Sequence, residues 1–283
     1  RLMSFVDSAE PGVKVEAVRS LRAGALPRRD EALLRLAADA SNPAALRAEA
    51  VAGLTGDDPE SRRLLLKLSS EADPTLRHEA IRSLRGVSLS PDERDRIARA
   101  GEGDPETAAL LALAPASPTG ATATAPPEPL SEWLAQLDGP ANPAAGERVF
   151  FHPKGPGCYR CHRVAGRGGD VGPDLTTTAA ALTRERLIES VTNPDKEIAP
   201  QFVPWLVARK DGTVFTGVLL DESATGEQTY GDATGARIVV PPGQVDDRRP
   251  QTTSIMPAGL ARQMTPQEFR DLAAFLRGLG PSR

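Results

Sequence analysis

The residues with the clearest chemical meaning in this chain are two cysteines and a histidine within one pentapeptide, Cys158-Tyr159-Arg160-Cys161-His162. Two thiols three positions apart, followed at once by an imidazole, are the attachment signature of a c-type haem. One helical turn presents both sulfurs to the same edge of a porphyrin, where each can add to a vinyl group. The imidazole that follows then reaches the iron as its proximal ligand.

Two other chemistries use closely spaced cysteines, a dithiol redox pair and half of a zinc site. A structural zinc site needs four ligands. The other histidines, His78 and His152, come without a second pair of thiols, since both cysteines of the chain lie in the pentapeptide. The zinc interpretation therefore lacks ligands, and the haem interpretation is favoured.

The composition is that of a globular protein with enough length for about two domains. The chain has 283 residues, of which 40% are hydrophobic, 25% charged and only 4% aromatic, which favours helices packed through small residues. The formal net charge of −4 has no long run of one sign, so nothing indicates nucleic acid or an anionic membrane surface as a partner. We also expect no transmembrane segment, because no apolar stretch reaches about eighteen residues.

The compartment follows from the haem interpretation. Bacteria attach haem covalently outside the cytoplasm, so we expect a periplasmic or otherwise extracytoplasmic protein, membrane-associated at most through a partner. The chain opens as RLMSFVDSAEPG, which is not a signal peptide. We therefore expect an export signal upstream and a larger parent protein. If both thiols bind haem, none remains for a disulfide.

Residues 1–112 contain an internal repeat. The related phrases Lys14–Val18, Arg47–Val51 and Arg77–Ile81 each follow a proline and precede a leucine. A proline at the first turn and small or aliphatic residues on one face are typical of short stacked helices. The region resembles a HEAT-type α-solenoid of about three and a half repeats, an architecture that usually holds another protein. A plain helical spacer is the alternative.

A linker and a second domain are predicted to follow. Residues 113–129 are rich in Pro, Ala and Thr and carry almost no aliphatic residues, which predicts an extended tether. Residues 130–283 then form the domain that carries the pentapeptide. Helix starts are predicted at Asn142, Thr183 and Thr265, the last with a capping box.

Residues 200–250 have a different pattern from the helices around them. Residues 202–220 read as strand, Asp-Gly turn and strand, and residues 228–240 give a second, weaker hairpin. Trp205 is predicted to belong to the strand core, while Arg248 and Arg249 are either a solvated pair or contacts for haem propionates or an acidic partner.

Ordered motifs along residues 143–279 resemble a known family. CYRCH, Gly172–Leu175 (GPDL), Ser254–Pro257 (SIMP) and the C-terminal amphipathic helix resemble a class I cytochrome c domain. The longer phrases GGDVGPDL, LIESVTNPDKEIAP and SIMPAGL narrow the resemblance to the haem-binding domain of the Planctomycete and Verrucomicrobium type. That domain often ends large exported proteins, behind HEAT-like repeats and a propeller that resembles sugar dehydrogenases.

The resemblance implies roles for five residues. Cys158 and Cys161 would bind the vinyl groups, His162 would be the proximal ligand and Met256 the distal one. The carbonyl of Pro173 would accept a hydrogen bond from the imidazole Nδ1 and fix its tautomer. A Met is more often core filler than a ligand, but Met256 stands beside a proline in a loop.

Further expectations concern the crossing of two helices, a second histidine and the long segment between His162 and Met256. Gly146 and Phe275 would form the crossing of the first and last helices of the domain. His152 is an alternative distal ligand in a bis-His site. The segment between His162 and Met256 is longer than in compact class I domains, and the surplus is the β segment of about residues 200–250. We expect that segment to shield one haem edge or to form a docking surface.

The predicted fold is mainly α, with a HEAT-like solenoid, a Pro-rich linker and a class I cytochrome c fold that carries a small β insertion. The expected function is electron transfer by one covalent haem c with His/Met ligation, without catalytic activity of its own. The solenoid would dock or connect to a dehydrogenase or a membrane redox complex. The alternatives are a haem enzyme or a gas or peroxide sensor in which Met256 is displaced, and a scaffold in which the haem is only a structural staple.

Overall fold

The structure, a computed structural model, describes residues 2–24, 26–113 and 129–280. These residues form two compact units. One is the described part of Arg1–Ala116 together with Phe151–Gly155, and the other is the described part of Ser117–Phe150 together with Pro156–Arg283. The predicted linker, residues 113–129, lies outside the described residues except at its two ends.

The first unit is built from eight α-helices among its described residues. They are α1 Leu2–Val6, α2 Pro11–Ala23, α3 Arg29–Ala38, α4 Ala44–Val51, α5 Pro59–Leu68, α6 Pro74–Ser83, α7 Pro91–Ala100 and α8 Pro105–Ala112. The three repeated phrases lie in α2, α4 and α6, and α3 and α5 lie between them in the chain. The helices thus form where the sequence indicates, whereas their assignment to a HEAT-type solenoid stays a prediction.

Side-chain caps fix the starts of four helices of this unit, α5 to α8. Asp58, Asp73 and Asp104 each cap a helix with a side-chain oxygen, and a proline follows each of them at the first helical position. Ser90 forms a capping box with Glu93 at the start of α7. The caps satisfy backbone N–H groups that no helical carbonyl can reach.

The core of the first unit contains the leucines that follow the repeated phrases. Leu21, Leu54 and Leu84 are all buried and belong to one apolar cluster. The repeat in the sequence is therefore a repeat of buried positions, as expected for short helices that bury an apolar stripe against their neighbours.

The second unit contains the remaining α-helices, except Phe151 at the end of α10, and all the strands among the described residues. The helices are α9 Leu130–Gln136, α10 Pro143–Phe151, α11 Leu175–Thr178, α12 Arg184–Thr192 and α13 Pro266–Arg277. The strands are β1 Arg163–Val164, β2 Arg167–Gly168, β3 Pro204–Arg209, β4 Val214–Glu222, β5 Gln228–Gly231, β6 Arg237–Val240 and β7 Val245–Pro250. The sequence did not predict α9, α11, the short β1–β2 hairpin or β7.

The predicted caps are present. Asn142 Oδ1 accepts from the N–H groups of the first turn of α10, and Thr183 Oγ1 accepts from Arg186 N at 3.2 Å. Thr265 and Glu268 form the predicted capping box at the start of α13. Phe269 in α13 is fully buried and meets the ring of Trp133 in α9 edge to face, with ring centroids 5.6 Å apart.

Helices α10 and α13 cross at a glycine. A Cβ on Gly146 would lie 2.0 Å from the carbonyl oxygen of Asp271, so the two backbones touch there. The Asp271 side chain also accepts from Asn142 N at 2.7 Å. Phe275, which the resemblance placed with Gly146 at this crossing, packs on Phe150 of α10, with ring centroids 6.0 Å apart.

We expect Gly146→Ala to destabilise the second unit by about 3 kcal/mol, because overpacking against a rigid backbone is costly. Denaturant unfolding followed by circular dichroism measures the loss. Gly12→Ala in α2 is the control, since an added Cβ there meets nothing within 4 Å, and we expect a small gain. Equal stability of the Gly146→Ala variant and the native chain would contradict the close approach.

The two predicted hairpins belong to one antiparallel sheet with the strand order β6-β5-β4-β3-β7. Both hairpins were predicted correctly. The strand β7 was missed because its sequence, VDDRRP, is almost entirely exposed and lacks apolar alternation. It forms one edge of the sheet, where charged residues and proline are common.

One face of the sheet has its own small core. Val207, Tyr230 and Val240 are fully buried there, and Trp205 packs against them from a half-buried position. The guanidinium of Arg248 lies 5.0 Å from the Trp205 ring centroid, a cation–π distance.

Candidate functional site

The pentapeptide begins as a 3₁₀ turn, Cys158–Arg160, that follows a glycine in the left-handed conformation. His162 N and Cys161 N both donate to the carbonyl oxygen of Cys158, at 2.9 and 3.3 Å. The turn places the two thiols, which are free and half-buried, on a short rigid segment. Their backbone geometry is that of the single turn that the spacing predicts.

The imidazole of His162 is held by its Nδ1 atom, which lies 3.0 Å from the carbonyl oxygen of Pro173. A carbonyl can only accept, so Nδ1 carries the proton and Nε2 keeps its lone pair. Burial lowers the pKa of His162, and the bond to Pro173 opposes this only in part. The neutral ring that results is the form that binds a metal.

A glycine leaves the room for this ring. A Cβ on Gly172 would lie 2.6 Å from Cε1 of His162 and 2.9 Å from Nδ1, so any side chain there would push the ring out of place. Gly172 N also donates to the carbonyl oxygen of Cys161 at 2.8 Å. The phrase GPDL thus supplies both the space for the ring and the acceptor that orients it.

Two further glycines pack on the backbone of the pentapeptide. A Cβ on Gly168 would lie 2.2 Å from the carbonyl oxygen of His162, and one on Gly169 would lie 2.0 Å from that of Arg160. Gly169 N donates to the carbonyl oxygen of Tyr159 at 2.8 Å. Neither glycine was predicted to have a role in the site, although the run GRGGDVG was a signal in the sequence.

The thiol chemistry disfavours the dithiol alternative. Burial raises the pKa of the Cys158 thiol to about 12. Burial, and after it the carboxylate of Asp232, also raise the pKa of Cys161. Redox-active cysteine pairs need a lowered thiol pKa, because the thiolate is the reactive form.

Met256 lies half-buried in an irregular segment between β7 and α13. Its N–H donates to Ser254 Oγ at 3.1 Å, and Ser254 N donates to the carboxylate of Asp195 at 2.7 Å. Two hydrogen bonds therefore connect the backbone at Met256 to the segment that follows α12. Neither Asp195 nor Ser254 was identified from sequence. Met256 as the distal ligand remains a prediction.

We expect Ser254→Ala to loosen the Met256 segment, since a lost hydrogen bond of this kind is worth about 1 kcal/mol. The affinity of the ferric protein for added imidazole should rise about fivefold, because the thioether would leave the iron more often. Ser190→Ala is the control, because Ser190 is an exposed α12 residue that bonds only within its own helix. Unchanged imidazole affinity in Ser254→Ala would show that this bond does not hold Met256.

His152, the alternative distal ligand, is engaged elsewhere. It is fully buried in the first unit, where Nδ1 accepts from Lys154 N at 3.0 Å and Nε2 lies 3.1 Å from Ser83 Oγ. Ser83 Oγ donates to the carbonyl oxygen of Val51 at 3.0 Å, so it can accept from Nε2. Burial lowers the pKa of His152 to about 3, against the pull of Glu79. With both ring nitrogens occupied, His152 is not available to iron.

Residues Phe151–Gly155 group with the first unit, although they lie within residues 130–283, the range predicted for the second domain. The predicted domain bounds stay a prediction. Besides His152, Lys154 contributes an ion pair there, with Nζ 2.9 Å from Asp57. These contacts join residues far apart in sequence, which composition and periodicity do not reveal.

The zinc alternative has no support in the part of the chain that the structure describes, which holds no group of three or more His, Cys, Asp or Glu side chains able to bind a metal ion. The third histidine, His78, lies in the first unit with Nε2 2.6 Å from Asp104 Oδ2. Arg248 and Arg249, for which a solvated pair or contacts with haem propionates or an acidic partner were considered, interact within the sheet: Arg248 lies over Trp205 and Arg249 bonds to Asp247.

The residues present fit a covalently attached haem. Two free thiols and a neutral imidazole with Nε2 as its available nitrogen are the groups that a CxxCH segment supplies to a c-type haem. Gly172 leaves open the space that the proximal ring needs. A second CxxCH motif is absent from the sequence.

Comparison with known proteins agrees with this geometry. Residues 143–280 match the family model described as Cytochrome c. The match supports a cytochrome c domain over these residues, and with it haem-based electron transfer in general and a covalently bound haem c. Cytochrome c domains are typically extracytoplasmic. No curated protein matches the chain.

Among the described residues, no helix has the length and apolar character needed to cross a membrane.

Proposed function

We propose that this chain is an electron-transfer protein with one covalent haem c, whose axial ligands are Nε2 of His162 and the thioether of Met256. The single observation that carries the proposal is the CxxCH turn whose histidine is oriented by the carbonyl oxygen of Pro173, at 3.0 Å from Nδ1. That hydrogen bond presents Nε2 for ligation and raises the basicity of the ring.

Each protein group has a separate task in this site. The thiols of Cys158 and Cys161 would each hold the haem by adding across one vinyl group, with one C–S bond formed per thiol and the thiol hydrogen taken up by the other vinyl carbon. The soft thioether of Met256 favours ferrous iron and raises the reduction potential. When bound, haem c supplies a one-electron ferric–ferrous couple.

Closed ligation separates electron transfer from catalysis. An iron held by both His162 and Met256 would have no open position for substrate. The hydrogen bonds from Met256 N to Ser254 and from Ser254 N to Asp195 support a fixed Met256 segment. They favour electron transfer over an enzyme or sensor that must release this ligand.

The first unit has a supporting role in this proposal. Its helices and buried leucines are compatible with a HEAT-type solenoid, which would dock or connect to a dehydrogenase or a membrane redox complex. The periplasm, or another extracytoplasmic compartment, is the proposed location, because haem attachment occurs there.

An optical spectrum of the purified protein, oxidised and then reduced with dithionite, tests the proposal together with a denaturing gel stained for haem. A sharp reduced α-band, retained stain and a low-spin ferric spectrum with the red charge-transfer band of an Fe–Met bond are expected. A high-spin ferric spectrum would favour the enzyme or sensor. A colourless protein would overturn the proposal and return the thiols to dithiol or metal chemistry.

A further inference from the structure

The β sheet of the second unit touches the pentapeptide through the turn between β5 and β6. A Cβ on Gly235 in this turn would lie 2.5 Å from the carbonyl oxygen of Arg160 and 3.0 Å from its Cβ. Gly235 also has φ +86°, which a side chain disfavours. The turn therefore rests on the backbone between the two cysteines at a distance that only glycine permits.

A second contact lies where β5 enters this turn. A Cβ on Gly231 would lie 2.4 Å from Cγ2 of Val171, and Val171 is itself buried. Val171 directly precedes Gly172, the glycine under the His162 ring. The sheet thus packs on both ends of the segment that runs from the cysteines to the proximal-ligand support.

A third contact lies where β6 leaves the turn. Arg237, the first residue of β6, forms an ion pair with Asp170, and Asp170 also lies 3.8 Å from Arg163, the residue after His162. Both flanks of the turn are therefore attached to the same segment, residues 160–172.

The turn itself is rigid. Asp232 Oδ1 accepts from Thr234 N at 2.8 Å, from Thr234 Oγ1 at 2.6 Å and from Ala236 N at 3.0 Å. Gly235 N donates to the carbonyl oxygen of Asp232 at 3.0 Å. Such an Asp-centred turn loses little entropy on packing, because its own bonds already order it.

We infer that the β5–β6 turn, residues 232–236, is a positioning element that holds the pentapeptide and the segment up to Gly172 in their ligating conformation. The inserted sheet is thereby a support of the haem-attachment segment. An effect of this turn on the iron rests on the proposed function. Its support of the backbone of residues 160–172 does not.

The chain contains a matched pair of glycines for the test. Gly235 and Gly212 both lie in hairpin turns of the same sheet, with φ +86° and +85°. An added Cβ meets Arg160 in the first case and nothing within 4 Å in the second. Ala at either position carries the same backbone strain, so a difference between the variants reports the contact with Arg160.

Hydrogen exchange of the full chain is the primary measurement. In Gly235→Ala we expect the amides of Gly169 and Gly172 to exchange about tenfold faster, because overpacking of this size destabilises the local fold. Gly212→Ala should leave both amides unchanged. The reduction potential and the ferric spectrum should shift in Gly235→Ala alone. Equal exchange and equal potentials in the two variants would overturn the inference.

Two further outcomes are covered: a Gly235→Ala variant that does not fold, and a protein that carries no haem. If Gly235→Ala does not fold, Arg237→Gln removes only the ion pair to Asp170 and should speed the same amides about twofold, while Arg249→Gln, whose partner Asp247 lies on the same strand, should not. If the protein proves to carry no haem, faster exchange in Gly235→Ala still supports the inference about the backbone, although the proposed function then fails.

Discussion

Replacing Cys158 and Cys161 together by Ala is expected to abolish covalent haem attachment completely and to leave the second unit poorly folded. The thiols are the groups that form bonds to the cofactor, and both are free in the structure. The pentapeptide also lies against glycines that fit its backbone closely, Gly168 and Gly169. A domain built around a cofactor loses the binding free energy of that cofactor when it is absent.

Haem staining after denaturing electrophoresis, with the intact mass, measures this loss. Tyr159→Phe is the control, because it changes a side chain between the two cysteines without touching a thiol, and it should retain full staining. A single cysteine variant should retain one bond to haem. A double variant that folds and still carries covalent haem would overturn the assignment of the site.

Met256→Ala is expected to keep the haem covalently bound while the reduction potential falls, on the order of 0.1 V or more within the range of about 0.8 V that axial ligands control. The neutral thioether stabilises ferrous iron, and alanine offers no replacement ligand. The sixth position should open, so that the ferric protein becomes high-spin and binds added imidazole more tightly.

Met264→Ala is the matched control for this prediction. Met264 is buried, with 5% of its surface exposed, and has no predicted ligand role. Its loss should create a cavity that costs about 2–5 kcal/mol of stability and should leave the potential near that of the native protein. Redox titration and denaturant unfolding of both variants separate the two effects. If Met264→Ala lowered the reduction potential and Met256→Ala did not, the assignment of Met256 as the distal ligand would be wrong.

Local chemistry explains which structural features could be predicted from sequence. The helix starts at Thr183 and Thr265 depend on side chains within three residues of the cap. The β3–β4 hairpin depends on its Asp-Gly turn, in which Gly212 has φ +85°. The CxxCH spacing defines the chemistry of the site because the atoms that must bond lie within one turn.

The features that were missed depend on contacts between distant segments. The strand β7 has no apolar alternation and is stabilised by pairing with β3. The Asp195 carboxylate accepts a hydrogen bond from Ser254 N, and the turn at Gly235 packs on Arg160. These partners lie far apart in the sequence, and no periodic pattern relates them. His152 stands ten residues before His162, yet it is buried in the first unit.

The sequence by itself determined the chemistry of this protein, because two thiols and an imidazole at this spacing indicate haem attachment before the fold is known. It also determined the helix starts at Asn142, Thr183 and Thr265 and both hairpins, which follow from caps, prolines and turn residues. Only the tertiary structure decided how that chemistry is held: the ring of His162 against Gly172, the Met256 segment bonded through Ser254, and the sheet resting on Arg160. These contacts arise when the chain packs, since close approach of backbones depends on shape in three dimensions.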